Sequence, residues 1–500
     1  MEKILSKSKY CRGVQCPKIL WLDEHNPELG NVSVDESAIE NGKMVGQLAR
    51  EYFGDYSLVP FNYDANVMIK ETKVLMDSGC ECIAEASFVY DGLFCSVDIL
   101  KKNGSYYDLI EVKSASSIKD INYDDISFQY YVVVNSGVPI NHVFIMYLNK
   151  EYVRQGDLDL QGLFVLDEIT DEVIQKQSLV EQNIKDIREY LLNETEPERD
   201  IDAYCDDPYP CAYYGYCSRH LPSPSIFNIR GLNQNKKLQL YHDGILSFED
   251  IISNQIKLSA RQMKQVETAY YHKPDQIDRE KIRAFLNTLS YPIYHLDFET
   301  YMPPIPEYDG THPYEKIPFQ YSLHIESEDG TLEHKEFLAK EGTDPRRILA
   351  ERLVNDIPEN VCVLAYHMSF ECGVIAYLAE LYDDLADHLL NIRDNIQDLI
   401  IPFKKQYYYA EAMKGSYSIK YVLPALFPDD PSLDYHNLEG IHHGEEASAA
   451  FAKMTKLSPE EIEKTRENLL KYCGLDTYAM VKVLEKLREV TEEGGDAENV

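Results

Sequence analysis

The segment Tyr291-Pro292-Ile293-Tyr294-His295-Leu296-Asp297-Phe298-Glu299-Thr300 constrains this chain most. Its apolar run reads as a buried strand that carries two acids. Side chains alternate across a strand, so Asp297 and Glu299 share one face. Two carboxylates on a buried face are costly unless a cation neutralises them. Metal binding is therefore the economical reading. Two further patterns can join this strand. Val363 to Glu371 reads as a strand running into a helix start that presents Glu371. Leu469 to Asp476 reads as helix, on which Tyr472 and Asp476 lie four apart and share a face. Acids in this arrangement can bridge two Mg²⁺ or Mn²⁺ ions for phosphodiester cleavage, with a tyrosine hydroxyl orienting the water.

A second acidic pattern lies earlier. Phe94 to Leu100 reads as a strand, Lys101-Lys102-Asn103-Gly104 as a hairpin turn, and Tyr106 to Lys113 as the returning strand. Glu111 and Lys113 then share a face, with Val112 on the other, and the hairpin can bring Asp98 beside them. The acids suit Mg²⁺ or Mn²⁺, and the lysine can position water or offset developing charge.

The cysteines form a third pattern. Cys205, Cys211 and Cys217 recur every six residues in a stretch broken by Pro208, Pro210 and Gly215. Three thiols on a turn-rich loop suggest a metal or cluster that needs a fourth ligand. Cys16 is the first choice and Cys11 the alternative. Zinc is one reading, although structural zinc sites usually pair cysteines two to four residues apart. Cys80, Cys82, Cys95, Cys362, Cys372 and Cys473 lie in apolar contexts and read as core.

A length of 500 residues predicts two or three domains. Composition separates 1–220, a helical linker over 221–290 opening with Leu221-Pro222-Ser223-Pro224-Ser225, a third region over 291–490, and an acidic, disordered tail over 491–500. No run approaches the roughly 20 apolar residues that cross a bilayer, and the first residues lack the apolar core of a signal peptide. The expected location is cytoplasmic, with no membrane partner. The net charge of -36 argues against a general electrostatic grip on nucleic acid, because phosphate binding rests on Lys and Arg. It leaves room for bound metal and a local basic channel.

Two family resemblances join these patterns. Asp98, Glu111-Val112-Lys113 and Phe128-Gln129-Tyr130 resemble the PD-(D/E)xK core of RecB-like nucleases. The resemblance implies a restriction-endonuclease-like fold in which Asp98 and Glu111 bind metal, Lys113 and Gln129 serve catalysis, and Tyr130 contacts substrate. Such enzymes often place a histidine ligand on the first helix. Here 40–49 has none, and Glu40 and Glu85 are the acids available in its place. Iron–sulfur members place one cysteine near the start and three after the core, which implies a [4Fe–4S] cluster on Cys16, Cys205, Cys211 and Cys217.

Asp297, Glu299, Glu371, Tyr472 and Asp476 resemble the DEDD exonuclease superfamily of RNase H-like fold, in the subgroup ending in Tyr-x-x-x-Asp. Gly415-Ser416-Tyr417-Ser418-Ile419-Lys420-Tyr421 is similar to a segment such enzymes carry before their last motif. His367-x-x-Phe370-Glu371 stands where the superfamily usually has Asn-x-x-Phe/Tyr-Asp. The order of the parts also resembles bacterial proteins whose C-terminal part is catalogued as a domain of unknown function. The implied fold is α/β throughout, with a linker that either grips DNA backbone through a helix-hairpin element or is a plain spacer. The implied function is metal-dependent hydrolysis of DNA, single-stranded by expectation, by a RecB-like centre and a 3′–5′ exonuclease centre, in repair, recombination or defence. RNA exonuclease activity, or a nucleic-acid-binding scaffold with decayed centres, are the alternatives.

Overall fold

A computed structural model describes residues 4–31 and 36–492. The fold is mixed α/β, in two compact units. One runs to His220 and includes Pro303–Glu315; the other comprises Leu221–Met302 and the chain from Lys316 onward. Among the described residues, no helix is long and apolar enough to cross a membrane.

The first unit opens with α1 (Lys7–Gln15), α2 (Pro17–His25) and α3 (Glu36–Glu51). Its sheet contains β1 (Cys82–Tyr90), β2 (Leu93–Asn103), β3 (Tyr106–Lys113), β4 (Ile140–Leu148) and β5 (Phe164–Glu168), in that spatial order. Two short strands complete it: Ser57–Leu58 beside β1, and Leu5–Ser6 beside β2. β3 and β4 pair in parallel, and the helix α4 (Asp120–Asn135) lies between them in sequence. The ladder of β2 and β3 continues to Asn103 opposite Tyr106, so the turn is Gly104-Ser105. It lies one residue beyond the expected turn because Gly104 takes the positive φ of 63° that a tight turn needs. α5 (Gln177–Leu191) packs Val180, Ile184 and Ile187 into the same core as Tyr10, Phe128 and Val132.

The second unit begins with α6 (Ala260–Tyr271) and α7 (Arg279–Leu286), after two shorter helices. Its central sheet contains β6 (Ile293–Tyr301), β7 (Ile317–Glu326), β8 (Leu332–Leu338), β9 (Cys362–Ala365) and β10 (Ile396–Asp398). The spatial order is β8-β7-β6-β9-β10. β7 is antiparallel to β6 and β8, whereas β9 pairs in parallel with β6 and β10. Every residue of β7 is buried. α8 (Ser369–Leu381), α9 (Ile419–Leu426) and the long α10 (Pro459–Glu492) follow.

Three boundaries differ from the expected ones. Residues 221–290 belong to the second unit: Ser259 caps α6, whose Gln265 is buried, and α7 buries Ile282 and Phe285. Residues 303–315, between β6 and β7, belong to the first unit. Ile305 joins a cluster with Met146 and Leu148, the Arg154 amide donates to the Thr311 carbonyl at 2.9 Å, and the Tyr314 hydroxyl donates to the Ser114 carbonyl. Thr491 and Glu492 close α10, and the remainder of the expected acidic tail lies outside the described residues.

Candidate active sites

In the second unit, the period of two along β6 puts Asp297 and Glu299 on one face, as the sequence requires. α10 presents Tyr472 and Asp476 from one helical turn. One carboxylate oxygen from each of Asp297, Glu299 and Asp476 lies within 4.8 Å of the others. Glu299 is buried, while Asp297 and Asp476 keep partial access to solvent. Among the described residues, no lysine or arginine forms an ion pair with any of the three. Burial pushes all three carboxyls up: Asp297 and Glu299 rise well above the usual range, each further raised by its acidic neighbours, and Asp476 reaches about 6.

Glu371, at the start of α8, is 2% exposed and stands outside this trio. Burial, then Asp398 and Asp476, push its carboxyl up to about 8. Its Oε2 has no hydrogen-bond partner among the described residues. The sequence reading missed four groups here. The Tyr435 hydroxyl donates to Asp476 Oδ1 at 2.7 Å. Asp398 accepts from the His367 amide at 2.9 Å, at a φ of 75° for His367, and so sets the entry to α8. The Cys473 thiol lies 3.8 Å from Asp297 Oδ2. Gly444 comes so close that an added Cβ would stand 3.5 Å from Glu299 Oε2. Tyr435 and Gly444 belong to no periodic motif, so only long-range packing reveals them.

A trio of carboxylates without a chain cation, with an orphaned buried carboxylate oxygen nearby, fits hard divalent cations such as Mg²⁺ or Mn²⁺. The donor set is all oxygen.

In the first unit, the structure brings Asp98, Glu111, Lys113 and Gln129 together. Asp98 Oδ2 accepts from the Val112 amide at 2.7 Å. The Lys113 ammonium donates to Glu111 Oε1 at 2.7 Å, and Gln129 Nε2 donates to Glu111 Oε2 at 2.7 Å. Two residues absent from the sequence reading complete the cluster. Lys7, from the first turn of α1, donates to the same Glu111 Oε1 at 2.9 Å. Asp125, one turn before Gln129 on α4, accepts from Lys113 at 2.5 Å and from Gln129 at 3.2 Å. The Asp125-x-x-x-Gln129 spacing was a visible signal. Burial, then Glu111, lift Asp98 to about 7; Glu111 itself is also raised by burial, but Lys113 and Lys7 outweigh this and hold it well below the carboxylate range.

Tyr130, the expected substrate contact, is half-buried, with part of its ring packed against the apolar core of the first unit. Consecutive helical residues point about 100° apart, so the face that presents Gln129 turns Tyr130 away. A cavity of 360 Å³ borders Asp98 and Lys113 and is also lined by Glu85, Arg50 and the small Gly42 and Gly46 of α3. Glu85 accepts from Arg50 at 2.8 Å. Glu40 lies on α3 and does not line this cavity.

Cys16 sits between α1 and α2 and shares a cluster with Trp21, Tyr213, Cys211 and Cys217. Cys205 joins them through the Cys211 amide, which donates to its carbonyl at 2.8 Å. Burial raises the thiols of Cys205, Cys211 and Cys217, each raised further by the neighbouring cysteines, while Arg12 and Lys18 oppose the rise at Cys211 and Cys217. The cysteines neighbour one another, yet among the described residues only Asp297, Glu299 and Asp476 bring three ligand atoms within 4.8 Å. Cys11 lies elsewhere, packed against the central core and lining a 250 Å³ cavity with Lys7 and Asp125.

The family model described as Domain of unknown function (DUF2779) matches residues 294–418. The match begins within β6 and ends ahead of α9 and α10. The chain is also similar to an uncharacterized protein of Ureaplasma parvum serovar 3, with 24% identity over 245 residues. That stretch covers 45% of this chain and 35% of the relative, so the chain spans little more than a third of that protein's length.

Proposed function

We propose that the protein is a metal-dependent nuclease with a RecB-like PD-(D/E)xK centre in the first unit and a DEDD-type 3′–5′ exonuclease centre, on an RNase H-like sheet, in the second. The observation that carries this reading is the Asp297–Glu299–Asp476 trio, whose oxygens crowd within 4.8 Å with no ion-paired lysine or arginine among the described residues. The strand order β8-β7-β6-β9-β10, with β7 antiparallel to its neighbours, supports the RNase H-like assignment. Asp297, Glu299 and Asp476 would hold the ions, with Glu371 nearby. Bound Mg²⁺ or Mn²⁺ supplies charge neutralisation at the attacking and leaving oxygens of the phosphodiester. Tyr435 fixes one oxygen of Asp476 by donating to it at 2.7 Å. Tyr472, on the same helix face, positions the attacking water. Glu371 is one methylene longer than the aspartate usual in this position, and its carboxylate stands outside the trio.

In the first unit, Asp98 and Glu111 would hold metal, with Lys113 positioning water and Gln129 and Asp125 orienting Lys113 and Glu111. Cys16, Cys205, Cys211 and Cys217 would hold a [4Fe–4S] cluster that joins the α1–α2 corner to the cysteine loop. A catalytically silent nucleic-acid-binding protein is the second reading, favoured by Glu111 Oε1, which two ammonium groups already occupy.

The test is cleavage of single-stranded DNA and RNA, labelled at either end, with Mg²⁺ or Mn²⁺. Wild-type protein purified without oxygen is compared with Lys113→Ala, Asp297→Ala and the double variant. Each single change should remove one pattern of products, and the double change should remove both. Intact DNA and RNA under every condition would overturn the nuclease reading in favour of the silent one.

A further inference from the structure

The chain carries a net charge of -36, yet one stretch of the second unit is basic. Residues 400–421 contain Lys404, Lys405, Lys414 and Lys420 against the single acid Glu411, with tyrosines at 407, 408, 409, 417 and 421. The fold lines this stretch with cations from 221–290. The Arg261 guanidinium stands 4.1 Å from the centre of the Tyr417 ring, and that of Arg230 stands 4.8 Å from Tyr421. Lys264 lies 5.8 Å over Tyr409. Lys281 lies 5.5 Å over Tyr407, although it is paired with Asp278 at 2.6 Å. Among the described residues, neither Arg230 nor Arg261 pairs with a carboxylate. A cleft of 640 Å³ extends the array; Lys264, Arg279, Lys281 and Lys405 border it against the two acids Asp278 and Glu280.

The array is held by buried bonds. Gln265, 4% exposed, accepts from the Arg230 amide at 2.9 Å and donates to the carbonyls of Asn228 and Lys414 at 2.9 and 3.1 Å. One end reaches the entry to α8, where the Tyr366 hydroxyl donates to the Tyr417 carbonyl at 2.6 Å, five residues before Glu371.

An arginine stacked on an aromatic ring keeps its N–H edges free for phosphate. Positive charge interleaved with aromatic faces is the arrangement that tracks a single strand, because its backbone is anionic and its bases are unpaired and free to stack. We propose that this basic–aromatic array binds single-stranded nucleic acid and leads its 3′ end to the Asp297–Glu299–Asp476 carboxylates. The destination of the strand rests on the nuclease reading above; the binding does not.

The full-length protein is titrated into fluorescent oligothymidylate and oligouridylate of roughly 20 nucleotides, in EDTA so that no metal-dependent cleavage occurs. Arg261→Gln with Lys264→Gln should weaken binding at least about tenfold and lower the salt slope by about 1.4, at roughly 0.7 for each phosphate no longer neutralised. Thermal unfolding should be unchanged, and Arg261→Lys should retain part of the affinity. Lys464→Gln with Lys486→Gln removes the same charge from paired surface lysines and should leave binding unaltered. No binding by the wild type, unchanged binding in the array variant, or an equal loss in the control pair would overturn the proposal. Competition by duplex as strong as by single strand would do the same. Binding through the array without cleavage in Mn²⁺ would sustain this inference and overturn the nuclease reading alone. The stronger of the two oligonucleotides names the polymer.

Discussion

At the scale of single residues, the two acidic sites differ in who supplies the positive charge. Glu111 and Asp125 are neutralised by Lys7 and Lys113. Asp297, Glu299 and Asp476 form no ion pair among the described residues, and Lys420 only partly offsets the mutual repulsion, so protons or a bound cation meet the rest of their charge. Their folded carboxyls titrate above the ordinary range near 4, with Asp476 at about 6 and Glu371 at about 8. This site therefore binds more protons in the folded chain than in the unfolded one between about pH 4 and pH 8, and its contribution to stability falls as pH rises through that window. A divalent cation replaces those protons. Mn²⁺ should consequently raise Tm more at about pH 8 than at about pH 5.5; a hundredfold excess over the Kd at the higher pH stabilises by about 2.7 kcal/mol. Asp297→Asn should shrink the effect. Equal shifts at both pH values, read by thermal scans, would show that the trio does not take the ion.

Among the elements, the join between α6 and the loop before α9 decides how the basic array is built. Gly415 sits at a φ of 75°, and a Cβ there would meet the Gln265 side chain at 2.4 Å. Both the backbone and the close approach demand glycine. Gly415→Ala should cost roughly 1–3 kcal/mol of stability. Gly373, inside α8, has nothing within 4 Å of an added Cβ. Gly373→Ala should instead stabilise by about 0.5–1 kcal/mol, the ordinary gain within a helix. Urea denaturation compares the two, and equal midpoints would refute the packing argument.

For the whole molecule, the separation of centres into two units predicts independence. Cys211→Ser should remove bound iron and the broad visible absorbance of a thiolate-ligated cluster, and reduce products that depend on Lys113. Products that depend on Asp297 should persist, because that site lies in the other unit. Iron and zinc analysis of protein purified without oxygen checks the first claim, and stoichiometric zinc without iron would overturn it. End-labelled cleavage checks the second.

Local periodicity carried a large share of this protein. The alternation along 291–300 and 106–113, and the four-residue spacing of Tyr472 and Asp476, placed acids on shared faces because those repeats are properties of the backbone itself. The six-residue rhythm of Cys205, Cys211 and Cys217 predicts a thiol site, and the fold packs Cys16 in one cluster with Cys211 and Cys217 while Cys11 lies against the central core. Other features depended on which distant surfaces meet. Lys7 reaches Glu111 across 104 residues, Tyr435 reaches Asp476 across 41, and 303–315 packs into the first unit. Gln129 meets the acids while Tyr130, about 100° further round the helix, stays half-buried against the core. The segment read as a linker, 221–290, proved part of the second unit, since its composition is that of a spacer while its apolar stripe is buried by packing. A single chain position specifies backbone repeat and side-chain chemistry, but partners brought together by burying distant apolar faces exist only once the chain has folded.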